Sequence, residues 1–121
     1  MGCGADACFG GGTGVAALGW AMARGATDGS GAVDRGGLLT RAQAEARRHA
    51  GLDVVVCGTD VFANCKLAEE IERAVTPSGG RCIYHPPHLG PQSLPHFQQD
   101  APPPEGHSFH ETPARQARVS P

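Results

Sequence analysis

The sequence predicts an α+β fold, a small antiparallel-rich twisted sheet packed against one or two helices. Three observations support it. Two stretches carry helix-start chemistry or a helical apolar face, a β-branched run lies between them, and the last third breaks into short strand-like pieces separated by prolines. Element by element, the order reads helix, strand, helix, strand, loop, strand, loop, strand.

The first helix comes from "LLTRAQAEARRHAG". Thr40 and Gln43 have the spacing of a capping box, in which each side chain satisfies the other residue's backbone N–H, and Gly51 supplies a stop. His49 falls at the helix end, where a cation suits the helix dipole. "LDVVVCG" is a short apolar run bounded by turn residues and reads as a buried strand. In "NCKLAEEIERAV", Leu67, Ala68, Ile71, Ala74 and Val75 line one helical face, while Lys66, Glu69, Glu70, Glu72 and Arg73 read as its solvated side. Pro77 and two glycines end it. "RCIYH", "HFQ" and "GHSFH" then read as strands. "PPHLGPQSLP" has too many prolines for an element interior, and "QDAPPPEG" reads as a loop.

Eighteen glycines and ten prolines among 121 residues make nearly a quarter of the chain, against an average of about 12%. Twelve of the glycines fall in residues 1–37, which read as a weakly ordered leader with a short helix over Val15–Arg24. The expected organisation is therefore a flexible Gly-rich arm over 1–37, one α+β domain over 38–112, and a frayed tail over 113–121.

Charge excludes some functions. The net charge is −2 with neutral histidines, and from Arg81 onward three arginines face three carboxylates. This is no basic stripe for sequence-independent nucleic-acid binding. The five cysteines fit no zinc spacing and read as reduced thiols, with Cys57 and Cys82 in strands and Cys65 on a helix face. The apolar run Phe9–Ala23 is glycine-rich and too short for a membrane span, and the first residues do not read as a secretory signal.

Chemistry concentrates in "HPPHLGPQSLPHFQ" and "GHSFH", where five of the six histidines lie between His85 and His110. Imidazole accepts and donates protons near neutral pH. Two such rings flanking a phosphodiester suit RNA cleavage, one taking the ribose 2′-OH proton and one protonating the leaving 5′-oxygen. The candidates are His88, His96 and His107 for acid and base, Arg81 for charge stabilisation, and Ser93, Gln98 and Ser108 for hydrogen bonding. No metal or other cofactor is expected. If Phe109 faces the core, strand alternation puts His107 beside it and turns His110 to solvent. His85 and His110 then read as bystanders. The pairs His85-x-x-His88 and His107-x-x-His110 suggest metal only weakly, because neither lies on a helix.

From "DVVVCG" onward the chain resembles the C-terminal toxin domains of bacterial polymorphic toxins of the Rhs type. The likeness rests on Asn64, Leu67-Ala68 and Ile71-Glu72, then "HPPHLGPQSLPHFQ" and "GHSFH", about half the chain. Several such domains are similar to the barnase/colicin class of metal-independent RNases. The resemblance implies an endoribonuclease with RNA as substrate and a cognate immunity protein as partner. It also implies delivery into a target-cell cytoplasm as part of a larger toxin, and otherwise a cytoplasmic location. His88, His96 and His107 are the positions it marks, and residues 1–37 resemble the Gly/Ala-rich stretch that precedes such tips.

Two other classes fit the sequence. Gly12-x-Gly14-x-x-Ala17 is a variant dinucleotide fingerprint. It suggests a truncated short-chain-dehydrogenase or ketoreductase-like Rossmann fragment binding NADP, with "LDVVVCGTDV" and "GGRCIYH" as strands and Asp60 near an adenine. The third class is a non-enzymatic interaction module with exposed histidines.

Overall fold

The computed structural model describes residues 21–29, 32–87, 90 and 92–119. The fold is α+β, as the sequence indicates, and among the described residues two helices lie on a mixed seven-stranded sheet. The strands are β1 (Met22–Gly29), β2 (Ala32–Leu39), β3 (Asp53–Cys57), β4 (Cys82–His85), β5 (His96–Gln99), β6 (Ser108–His110) and β7 (Arg118–Val119). The helices are α1 (Arg41–His49) and α2 (Val61–Ala74). The sheet order is β4-β5-β6-β3-β1-β2-β7. Pairings are antiparallel except β3 with β6 and β2 with β7.

The elements form for local reasons. At α1 the capping box is in place: Thr40 Oγ1 accepts from the Gln43 N–H at 3.1 Å, and Gln43 Oε1 accepts from the Thr40 N–H at 2.9 Å. At α2, Asp60 Oδ1 caps the N–H groups of Phe62 and Ala63 at 2.9 and 3.1 Å. Asp60 is thus a helix cap, and the antiparallel β1–β2 hairpin takes the place of the parallel strands a dinucleotide-binding half requires. The fingerprint residues Gly12, Gly14 and Ala17 lie outside the described residues.

Val54, Val55 and Val56 are fully buried because β3 is central and both faces of the sheet are covered. Burying each side chain is worth roughly 1.5–3 kcal/mol. On one face both helices pack Ala44, Ala63, Ala68 and Ile71 against Val54, Val56 and Phe97. On the other, Val55, Cys57 and Phe109 pack against Leu94 and Ala117, which come from the segments flanking β5 and β7.

Three expectations change. Residues 22–37, read as part of a loose leader, contribute β1 and most of β2, and Met22–Arg24 is strand rather than helix. Alanines and glycines hide the alternation there: Ala23 faces the helices and Ala26 the opposite side. A Cβ on Gly36 would stand 3.2 Å from the Gly25 carbonyl oxygen, so the close strand approach selects glycine. At the other end, the supposed tail is ordered through β7, where Arg118 pairs with Asp34 at 2.7 Å. Lastly, Cys65 and Cys82 are disulfide-bonded rather than reduced, and among the described residues Cys57 is the free thiol.

Candidate functional site

Strand pairing explains how distant histidines meet. His85 pairs with His96 across β4 and β5, and His96 with Phe109 across β5 and β6. All three side chains therefore share the helix-free face. His107 precedes Phe109 by two residues and falls on that face as well. The His96 ring is the centre: its centroid is 5.3 Å from that of His85, 4.9 Å from His107 and 5.2 Å from Phe109, each in an edge-on arrangement.

His96 is buried, and its ring is held at both nitrogens. Nδ1 lies 3.1 Å from the Leu94 carbonyl oxygen and Nε2 lies 3.1 Å from the Gln98 side-chain amide. A neutral ring donates from one nitrogen only. With Nδ1–H given to Leu94, Nε2 is left to accept, so a neutral ring needs the Gln98 amide turned to present its nitrogen where Oε1 stands. Burial, opposed by the Leu94 bond and reinforced by neighbouring His107 and His85, lowers the His96 pKa to about 4. His96 is thus a neutral, fixed spacer between two less buried imidazoles.

His107 is held differently. Asp53 Oδ1 accepts the His107 backbone N–H at 2.8 Å and lies 3.1 Å from His107 Nδ1. The side chains are 31% and 18% exposed, so the pair is anchored yet reachable from solvent. Gly106 makes this possible. Its φ of +94° is in the left-handed region, and a Cβ there would stand 2.7 Å from Arg48 Nη1 and 3.1 Å from Asp53 Oδ1. Arg47 ties α1 to the same place, donating from Nε to the Asp53 carbonyl at 2.6 Å and from Nη2 to the Ala26 carbonyl at 3.1 Å. Asp28, exposed at the end of β1, completes the group. Its carboxylate, that of Asp53 and a ring nitrogen of His107 offer atoms all within 4.8 Å of one another. An imidazole positioned by a carboxylate, with a second ring beyond a fixed neighbour, has the parts for proton transfer in two directions.

The other sequence candidates divide. His88 lies outside the described residues. Arg81 pairs with Asp100 at 2.9 Å on an exposed edge. It stands four residues from His85 along β4, roughly 13 Å away, and does not serve the histidines. Ser93 is buried and turned inward, donating to the Gly90 carbonyl at 2.9 Å. Ser108 is fully buried on the helix face and donates to Glu72 Oε1 at 2.8 Å. Gln98 does belong to the site, through His96. His110 is not exposed. It lies 3% exposed on the helix face beside Tyr84 and Phe97, with Nδ1 unbonded, and burial pushes its pKa down to about 3. The reason is that β6 is an interior strand with both faces covered. His107 and His110 therefore point to opposite sides and cannot share a metal.

Sequence reasoning missed Asp53, Asp28 and Arg47, and took His85 for a bystander. The one available signal was Asp53 itself, a carboxylate opening a buried apolar run.

Two charge pairs, one fully buried and one partly buried, serve the scaffold. Arg48 and Glu72, both fully buried, bond through Nε–Oε1 and Nη2–Oε2 at 2.8 and 2.9 Å, which corrects the reading of Glu72 as solvated. On the other face Arg35 and Glu111 form a second bidentate pair. Glu111 also accepts from the Ala117 N–H at 3.0 Å and from Cys57 Sγ at 3.5 Å. Burial, then the Glu111 charge, pushes the Cys57 thiol up to about 12, so it stays protonated and is no nucleophile. Among the described residues no helix is long and apolar enough to cross a membrane. Comparison with protein-family models, with curated proteins and with solved structures gave no match.

Proposed function

We propose that the domain cleaves RNA by imidazole acid–base chemistry, without a metal in the chemical step. The observation that carries this reading is the His107–Asp53 pair, set one ring away from His85 across the fixed His96. Asp53 orients the His107 ring as such a carboxylate orients a general base. His107 takes the proton of the ribose 2′-OH, and His85 gives one to the leaving 5′-oxygen. The 2′-OH is the internal nucleophile, so no activated water is needed, and DNA, which lacks it, is not a substrate. Arg47 braces the strand that carries this pair, donating to the Asp53 backbone carbonyl from the helix side of the sheet. With a net charge of −2 the chain has little general attraction for nucleic acid, so recognition rests on these local groups.

The same reading carries the resemblance to polymorphic toxin tips: a small RNase delivered into a target-cell cytoplasm and neutralised by an immunity protein. Total RNA incubated with the protein in EDTA is expected to be cut. His107→Ala should lower the rate by roughly 10²–10⁴-fold, and Asp53→Asn should lower it without unfolding the chain. Intact RNA with the native protein, or equal cutting by His107→Ala, overturns the proposal. Expression in bacteria without a partner tests the toxin role, which unchanged growth would exclude.

A further inference from the structure

We propose that Asp28, Asp53 and His107 together bind one divalent transition-metal ion of the zinc class, and that the bound ion switches the histidine site off. The three donors come from different parts of the sheet: the end of β1, the start of β3 and the residue before β6. Register brings them together. Ala26 pairs with Asp53, so Asp28, two residues on, lies on the same face, and His107 sits beside Asp53 through the β3–β6 pairing. One imidazole nitrogen and two carboxylate oxygens then stand within 4.8 Å of one another.

The chemistry of this donor set is specific. Mixed nitrogen and oxygen donors suit zinc and its neighbours better than magnesium or calcium, which take oxygen alone. Three protein ligands with further positions open to water are a common zinc arrangement. Two donors on a tetrahedral ion with bonds near 2.0–2.1 Å stand about 3.3 Å apart, close to the 3.1 Å between His107 Nδ1 and Asp53 Oδ1. Asp53 and His107 therefore already hold the spacing of one edge of such a site. Asp28 is exposed and brings its carboxylate to the pair from the solvent side. Two carboxylates this close also repel each other, and a divalent ion between them removes that cost.

The ion's effect follows from the ring. An ion on Nδ1 replaces the hydrogen bond to Asp53 and leaves the proton on Nε2, so neither nitrogen can act as a base. This regulatory half rests on the RNase reading; the binding half does not.

The test uses the full chain, stripped of metal by dialysis against a chelator. Calorimetric titration with zinc chloride should give one ion per chain, and cobalt(II) should show the visible absorption of a nitrogen–oxygen tetrahedral site. Asp28→Asn should weaken zinc binding by roughly tenfold or more, with an unchanged melting curve in the metal-free state. In the native protein zinc should suppress cleavage and EDTA restore it. No zinc uptake, or uptake by Asp28→Asn equal to that of the native chain, overturns the site. If zinc binds through Asp28 but metal-free protein does not cut RNA, the RNase reading falls and the metal site stands. If metal-free protein cuts RNA but takes up no zinc, the reverse holds.

Discussion

Glu72 and Asp53 are carboxylates on two sides of one sheet, and they are used in opposite ways. Glu72 is fully buried and receives four donors: two from Arg48, one from Gln99 at 2.7 Å and one from Ser108 at 2.8 Å. Its charge is matched and its acceptor sites are filled. Asp53 is 18% exposed, accepts from His107, and has a second carboxylate rather than a second cation beside it. A saturated carboxylate can only hold elements together, here α1, α2, β5 and β6. An unsaturated one retains capacity for a proton, a substrate or an ion. Saturation, not burial or charge, separates scaffold from site in this molecule.

The largest expected effect breaks the saturated side. Glu72→Gln leaves the Arg48 guanidinium buried without its counter-charge and should cost about 3–5 kcal/mol, much of a small domain's stability. Asp53→Asn should cost less than about 1.5 kcal/mol, because its amide keeps an acceptor for the His107 N–H and the position reaches water. Urea denaturation of both variants decides it, and equal losses would erase the distinction.

A middle-sized effect concerns the buried rings. His96 and His110 bind a proton near pH 6.5 in the unfolded chain but only near 4 and 3 in the fold. The unfolded state therefore binds more protons across that window. Stability is complete above pH 6.5, drains as pH falls below it, and reaches its floor once both folded values are passed. His110→Leu removes the larger of these penalties and an unbonded Nδ1, so its acid-unfolding midpoint should lie at lower pH than the native one, as followed by circular dichroism.

The smallest effects fall where neither carboxylate is involved. Thr40→Ala removes the cap of the helix that carries both Arg47 and Arg48 and should cost about 1 kcal/mol in thermal unfolding. Arg81→Ala, at an exposed pair with Asp100, should stay within roughly 0.5 kcal/mol and leave RNA cleavage unchanged.

The legible parts of this fold are those written in neighbouring residues. Thr40 with Gln43, Asp53–Cys57, the α2 run and the three short C-terminal strands each carry their signal locally. The hairpin of β1 and β2 does not, since alanine and glycine fill the positions where larger apolar side chains would mark alternation. Glu72 reads as a surface charge because its partner Arg48 lies 24 residues away. The histidine cluster was visible as composition, but its sorting was not. Which ring is fixed, reachable or packed away depends on which strands are interior, and the Asp53–His107 pair spans 54 residues.

Gly106 has a consequence for how this domain can change. A Cβ on it would strike the Arg48 guanidinium and crowd the Asp53 carboxylate, so the mechanical joint of the core and the aim of the imidazole meet at one peptide. Loosening the interior therefore tilts His107, and any residue with a side chain at that joint disturbs both at once. Activity and cohesion are geared together here, so a drifting sequence has little freedom to alter one and spare the other.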